Sequence, residues 1–232
     1  MTGQARPCPA RDRGEDEAVA RLSRLDTCAV SDALDKLGLP GAALGLTALA
    51  APRRIAGRAV TVDLVDDRPG VAVSGRHLGT AAVDASGPGD VVVVAHCGRT
   101  YAAGWGGVLS TGARRNGVEG VVVHGACRDV DEARALDLPL YATTGVPLTA
   151  RGRVVERAWN VPVYIAGVPV SPGDLVVADA SGVVFVPAAH AEQVLTIAEA
   201  IAAKERAMVE RVRAGDAMAD VMSADYETML DK

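Results

Sequence analysis

Runs of valine entered through glycine- and aspartate-containing turns constrain this chain more than any other feature. Val91-Val92-Val93-Val94 follows Gly87-Pro88-Gly89-Asp90, and Val121-Val122-Val123 follows Gly120. β-Branched side chains are stiff at χ1 and pack well on a pleated surface, so short continuous runs of them read as buried strands. The core has few alternatives to valine. Hydrophobic residues make up 49% of the chain but aromatics only 3%, leaving Val, Ala and Leu to fill the interior. This composition favours a folded α/β domain over disorder. A length of 232 residues is enough for one large domain or two small ones with a real core.

Residues 1–16 are rich in Pro, Arg, Asp and Glu and read as a flexible tail. Val19, Leu22 and Leu25 then recur at helical spacing from Glu17. The next helix is expected over 29–37, with Thr27 or Ser31 as its cap and Gly38 as its stop. Residues 39–57 read as loop with short apolar pieces. Strands are expected over 58–64, 91–95, 121–124, 138–142, 161–165, 175–178 and 183–186, and helices over 108–116, 130–136 and 188–214. Gly87-Pro88-Gly89-Asp90 is echoed by Ser171-Pro172-Gly173-Asp174, and both read as similar tight turns entering strands. With no Pro/Ser linker in the mixed pattern, residues 17–232 read as a single domain with a C-terminal helical extension.

A formal charge of −5 argues against a nucleic-acid partner, and the basic cluster Arg6, Arg11, Arg13 and Arg21 is interleaved with acids. Cys8, Cys28, Cys97 and Cys127 form no C-x-x-C pair, so no structural zinc site is indicated. Neither a secretory h-region nor a bilayer-length apolar run is found, so no membrane association and a reduced, cytoplasmic setting are expected. Nucleotide binding has no support, since neither G-x-G-x-x-G nor a Walker A sequence occurs.

Two short segments carry chemistry. Arg128-Asp129 follows the 121–124 strand and Gly125. Arginine offers a planar fork that matches a carboxylate, and aspartate offers a hard oxygen for Mg²⁺ or Mn²⁺. The same pair also reads as a surface ion pair or the first turn of a helix. Gly106-Gly107-Val108-Leu109 opens a helix, where free N–H groups can hold an anion, or makes a glycine turn with no ligand. His96 and His124 each close an expected strand, as proton carriers or as hydrogen-bonded groups at a sheet edge. Cys127 beside Arg128 reads as packing, and Trp105 as cleft wall or core filler.

The chain carries, in order, Ser31-Asp32-Ala33-Leu34-Asp35-Lys36-Leu37-Gly38, Pro88-Gly89-Asp90, Trp105-Gly106-Gly107-Val108-Leu109, Gly125-Ala126-Cys127-Arg128-Asp129-Val130, Ser171-Pro172-Gly173-Asp174 and Ala178-Asp179-Ala180-Ser181-Gly182. In order and spacing these segments resemble the RraA-like family, which includes the 4-hydroxy-4-methyl-2-oxoglutarate/4-carboxy-4-hydroxy-2-oxoadipate aldolases. The resemblance implies a β/β/α sandwich of the swivelling phosphohistidine-domain type. It also implies homotrimers or homohexamers with sites at subunit contacts, and metal-dependent release of pyruvate from a small 2-oxo acid. By that match Asp129 holds Mg²⁺ or Mn²⁺, Arg128 binds the keto-acid end, and the amides of Gly106, Gly107, Val108 and Leu109 hold the carboxylate. Oxaloacetate decarboxylation is an expected second activity, because it forms the same enolate. Many family aldolases carry an acid where this chain has Gly107, and His124 replaces an acid common just before the family's glycine. A neighbouring subunit's helix can supply a glutamate, for which Glu205 is the candidate and Glu199 the next. Other members restrain a ribonuclease without catalysis. Proteins like this are also labelled demethylmenaquinone methyltransferases, but no glycine-rich adenosylmethionine loop occurs here.

Overall fold

The computed structural model describes residues 16–222. The tail expected over 1–16 lies, apart from its last residue, outside the described residues. Asp16 itself belongs to the fold. It caps α1 (Glu17–Leu22) through the Val19 amide, and its carboxylate receives the Arg58 guanidinium at 2.8 and 3.0 Å. The next helix, α2 (Thr27–Leu37), starts two residues earlier than expected and takes a different cap. Asp26 Oδ1 accepts the Ala29 N–H at 2.8 Å, while Thr27 donates its hydroxyl to Asp179 at 2.7 Å. Gly38 ends α2 at φ 66°, the left-handed C-cap that glycine adopts most readily.

Beyond α2 come β1 (Ala42–Ala43), β2 (Thr47–Ala50) and β3 (Ile55–Asp66), so the 39–57 stretch read as loop holds two short strands and the start of a third. The middle of the chain alternates: α3 (Thr80–Ala85), β4 (Asp90–Ala103), α4 (Gly107–Arg115), β5 (Gly120–Cys127), α5 (Val130–Ala135) and β6 (Leu140–Gly145). Then follow β7 (Val154–Trp159), β8 (Val163–Ile165), β9 (Val168–Val170), β10 (Leu175–Asp179), β11 (Gly182–Val186), α6 (Ala191–Arg213) and α7 (Met218–Val221). Strands β7 and β9 are additions to the sequence reading. The last long helix begins with a 3₁₀ turn over Ala188–His190. No helix of the described residues is long and apolar enough to cross a membrane.

Nine strands form one sheet in the order β1-β11-β10-β3-β4-β5-β6-β2, with β7 pairing β3. β3, β4, β5 and β6 run parallel, and antiparallel strands flank them on both sides. Side-chain alternation divides the core. Val92, Val94, Val121 and Val123 face one way, against Ala82, Leu109, Ala113 and Ala133 of α3, α4 and α5. On the same face, Leu175, Val177, Val184 and Val186 meet α1, α2 and α6. Val91, Val93, Ala95 and Val122 face the other way, against Val163, Ile165, Val168 and Val170 of the small β8-β9 sheet. Helices, main sheet and small sheet make the three layers of the expected β/β/α arrangement. With both faces covered, the cores of β4 and β5 over 91–95 and 120–123 carry no polar side chain, with no polar–apolar alternation.

The two echoed turns are alike in structure. Asp90 and Asp174 accept the amides of Gly87 and Ser171 at 3.0 and 2.7 Å. They enter β4 and β10, which flank β3 on its two sides, and both turns bond to β3 at Arg58 and Ala59.

Candidate active site

The two candidate segments meet at the carboxyl ends of β4 and β5, where open α/β sheets commonly place their ligands. Gly104 donates to the Ala126 carbonyl at 2.8 Å, and Arg128 donates to the Trp105 carbonyl at 2.9 Å. These bonds tie the 104–106 and 126–128 segments side by side, so α4 and α5 start together. Val146 holds the other flank by donating to the Cys127 carbonyl at 2.8 Å.

β5 does not break at Gly125 but runs on to Cys127. Gly125 sits at φ 150°, and a β-carbon there would lie 2.5 Å from His96 Cδ2. β4 is likewise longer than expected. It leaves register between Ala95 and Ala103, turning through Cys97 and Gly98 at positive φ. His96 is therefore no terminal residue. It is fully buried with Nε2 2.8 Å from the Ala102 carbonyl, and Nδ1 has no partner. Burial pushes its imidazole below the ordinary value, against the raising effect of that carbonyl. His124 is held by a hydrogen bond as one reading had it, but on an interior strand and not a sheet edge. Its Nδ1 accepts the Ala166 amide at 3.1 Å, and burial lowers its pKa too.

Asp129 is the N-cap residue of α5 in the left-handed region, at φ 56° and ψ 41°. Non-glycine residues visit this region at a cost, Asp and Asn more readily than most, and such strain concentrates at functional sites. Its side chain does not cap its own helix. It turns instead to α4, where Oδ2 accepts the Gly107 N–H at 2.9 Å. Arg128 Nε lies 3.1 and 3.2 Å from the two carboxylate oxygens. Both side chains are partly exposed, at 40% and 28%. Among the described residues the terminal Arg128 nitrogens have no partner, and neither do the amides of Val108 and Leu109 at the start of α4. The corner thus offers the Asp129 carboxylate, one guanidinium fork and two free helix-terminal N–H groups.

At both glycines that face this corner, an added side chain would press on a carboxylate. A β-carbon on Gly106 would stand 3.0 Å from Asp129 Oδ2, and one on Gly107 would stand 2.5 Å from Glu132 Oε2. Glu132 went unnoticed in the sequence because it reads as an ordinary first-turn residue of α5. Trp105 fills the core at 2% exposure, donating to Ser110 Oγ at 2.9 Å. Cys127 is packing, as read: burial raises its thiol to about 11. Glu205 lies elsewhere in the chain, on α6, where burial and the charges of Asp26 and Asp32 raise its carboxyl pKa. Glu199 is already engaged by Arg21 at 2.8 and 2.9 Å.

The fold and this corner define a layered α/β protein whose paired βα junctions at the ends of β4 and β5 carry the candidate site. The family model RraA-like (Aldolase/RraA) matches residues 27–185, and the chain belongs to that family. It is 30% identical over 199 residues to Protein DlpA of Legionella pneumophila, covering 85% of this chain but only 32% of DlpA. It is 32% identical over 207 residues to a Halalkalibacterium halodurans protein named "Putative 4-hydroxy-4-methyl-2-oxoglutarate aldolase", covering 87% of this chain and 93% of that protein. Among solved structures it is similar to Streptomyces coelicolor RraAS2, described as an unusual member of the RNase ES inhibitor RraA protein family. That match has a TM-score of 0.75 at 30% identity, covering 86% of this chain and 98% of the other.

Proposed function

We propose that this chain is a divalent-metal-dependent pyruvate aldolase that cleaves a small 4-hydroxy-2-oxo acid, with oxaloacetate decarboxylation as a second activity. The observation that carries the reading is the strained Asp129, whose carboxylate is turned onto the start of α4 beside Arg128. The chemistry of the donors suits Mg²⁺ or Mn²⁺. Among the described residues no group of three or more His, Cys, Asp or Glu side chains gathers to hold an ion. A hard octahedral cation does not need such a cage, because it binds through one or two carboxylates and keeps waters or substrate oxygens. Asp129 would hold it. When bound, the cation supplies Lewis-acid polarisation of the 2-oxo group.

The chain's own groups do the rest. The free amides of Val108 and Leu109 receive the substrate carboxylate at the positive end of α4. The Arg128 fork stabilises negative charge on the 2-oxo oxygen as the C3–C4 bond breaks. The Gly107 amide is spent on Asp129, so it orients that carboxylate and leaves substrate binding to its neighbours. A homotrimer or homohexamer, with Glu205 reaching a neighbouring copy's corner, completes the reading.

Pyruvate release from 4-hydroxy-4-methyl-2-oxoglutarate and from oxaloacetate, coupled to lactate dehydrogenase, tests it. Activity abolished by a chelator and restored by Mn²⁺ is expected. Release no faster than with free metal ion would reject the enzyme. A second reading, binding and restraint of a ribonuclease, is favoured by the likeness to RraAS2 and by a corner with no side chain at Gly107.

A further inference from the structure

The corner holds a second carboxylate whose state differs from that of Asp129. Asp129 is matched on both oxygens by Arg128 Nε and on one by the Gly107 amide. Both of its oxygens are thus engaged by neighbouring donors. Glu132 is its opposite. It stands one turn along α5, and its Oε2 occupies the space over Gly107, 2.5 Å from where a β-carbon would be. That same point is 3.2 Å from Asp129 Cβ, so the two carboxylates lie on one corner. Among the described residues the Glu132 side chain makes no hydrogen bond and no ion pair. The nearest cation along α5, Arg134, is taken by Asp131 at 2.8 Å. The histidines within β4 and β5 offer no substitute, since His96 is fully buried and His124 Nδ1 is occupied by the Ala166 amide. A glycine at 107 is what makes room for this free carboxylate.

Resting on the proposed aldolase reading, we propose that Glu132 is the proton acceptor for the substrate's 4-hydroxyl. The hydroxyl proton passes to the Glu132 carboxylate while the C3–C4 bond breaks. The hydroxyl-bearing carbon leaves as a carbonyl, and the bonding pair becomes the enolate of pyruvate. Solvent then protonates C3, and Glu132 returns its proton to solvent.

Oxaloacetate decarboxylation breaks a C–C bond to the same enolate with no hydroxyl proton to remove. The two activities therefore separate the base from the rest of the site. Glu132→Gln is expected to lower kcat for 4-hydroxy-4-methyl-2-oxoglutarate cleavage about 100- to 10,000-fold, the usual range for general acid–base catalysis. Oxaloacetate decarboxylation and the Mn²⁺ dissociation constant, read by calorimetry without substrate, stay within about threefold, too small a change for a lost ligand. Gly107→Ala, whose β-carbon displaces the Glu132 carboxylate, is expected to show the same selective loss with Glu132 still present.

Cleavage unchanged in Glu132→Gln overturns the assignment. So does a parallel fall in both activities, or loss of Mn²⁺ binding, because Glu132 would then be structural or a ligand. A wild-type chain that binds no Mn²⁺ and releases no pyruvate is a separate outcome. It rejects the aldolase reading itself, and the role of Glu132 with it.

Discussion

Asp129 pays for its position with an unfavourable backbone, and this separates its two roles experimentally. At φ 56° a residue needs tolerance of the left-handed region, which Asn shares and Ala does not. Asp129→Asn keeps an oxygen to accept the Gly107 amide and loses only the charge. The partly exposed pair with Arg128 is worth at most about 1 kcal/mol, so urea denaturation should shift by no more than that. Metal-dependent pyruvate release should fall about 100-fold or more, as when a charge-stabilising group is removed from a preorganised site. Asp129→Ala should match that loss and be less stable than Asp129→Asn by about a further 1 kcal/mol of backbone strain. Equal stability of the two variants would show that the left-handed conformation costs nothing here. Unchanged activity in Asp129→Asn would remove the residue from the metal's surroundings.

The strands and helices around this corner depend on fits that are not local, which decides what could be read from the chain. The valine runs of β4 and β5 were legible because both faces of the sheet are covered, so burial leaves its mark on every position. Their ends were not, because Gly125 reads as a strand breaker until the His96 ring is known to lie against it. Thr27 was misread as a cap for a similar reason, since its hydroxyl is claimed by Asp179, 152 residues away. Arg128-Asp129 and the 106–109 segment are contiguous and were legible, whereas Glu132 joins them only through the side-by-side packing of α4 and α5. The Gly125 fit gives a stability prediction. Gly125→Ala forces a methyl into the His96 ring at a backbone angle that alanine avoids, so denaturation should show a loss of about 2–3 kcal/mol. A shift below about 0.5 kcal/mol, the range of an indifferent surface change, would mean that β4 yields there. The buried ring also makes stability depend on pH. His96 is held below its ordinary value of 6.5, so its contribution is complete above 6.5. It is lost as pH falls through 6.5 towards the folded value, because the unfolded chain binds a proton that the folded chain refuses. The urea midpoint should therefore drop from pH 7.5 to 5.5, and drop less in His96→Gln, which keeps a donor for Ala102. An equal drop in both proteins would assign the effect to other groups, His124 first among them.

At the scale of the whole molecule, the carboxylates of the proposed reaction belong to two separate parts of the core. Asp129 and Glu132 lie where α4 and α5 begin, in the part of the core built on β4 and β5. Glu205 lies on α6, in the separate cluster with α1 and α2, beside Asp26 and Asp32. On the proposed reading Glu205 serves the corner of another copy, as closed rings with heterologous contacts allow. Val108 at the mouth of the corner is 89% exposed in the single chain, an apolar surface that such a neighbour would cover. Light scattering should then give about three or six times the 23.8 kDa chain mass. Mixing two inactive variants is the sharper test. Asp129→Asn lacks the carboxylate proposed to hold the metal, and Glu205→Gln lacks the group proposed to reach the neighbour. In a ring refolded from equal amounts, a corner is intact when its own chain carries the Glu205 change and the donating neighbour carries the Asp129 change. Random assortment makes about one contact in four intact, so about a quarter of wild-type pyruvate release should return while each variant alone stays inactive. A mixture no more active than its parents would confine each site to one chain, and full activity in Glu205→Gln alone would remove that residue from the reaction.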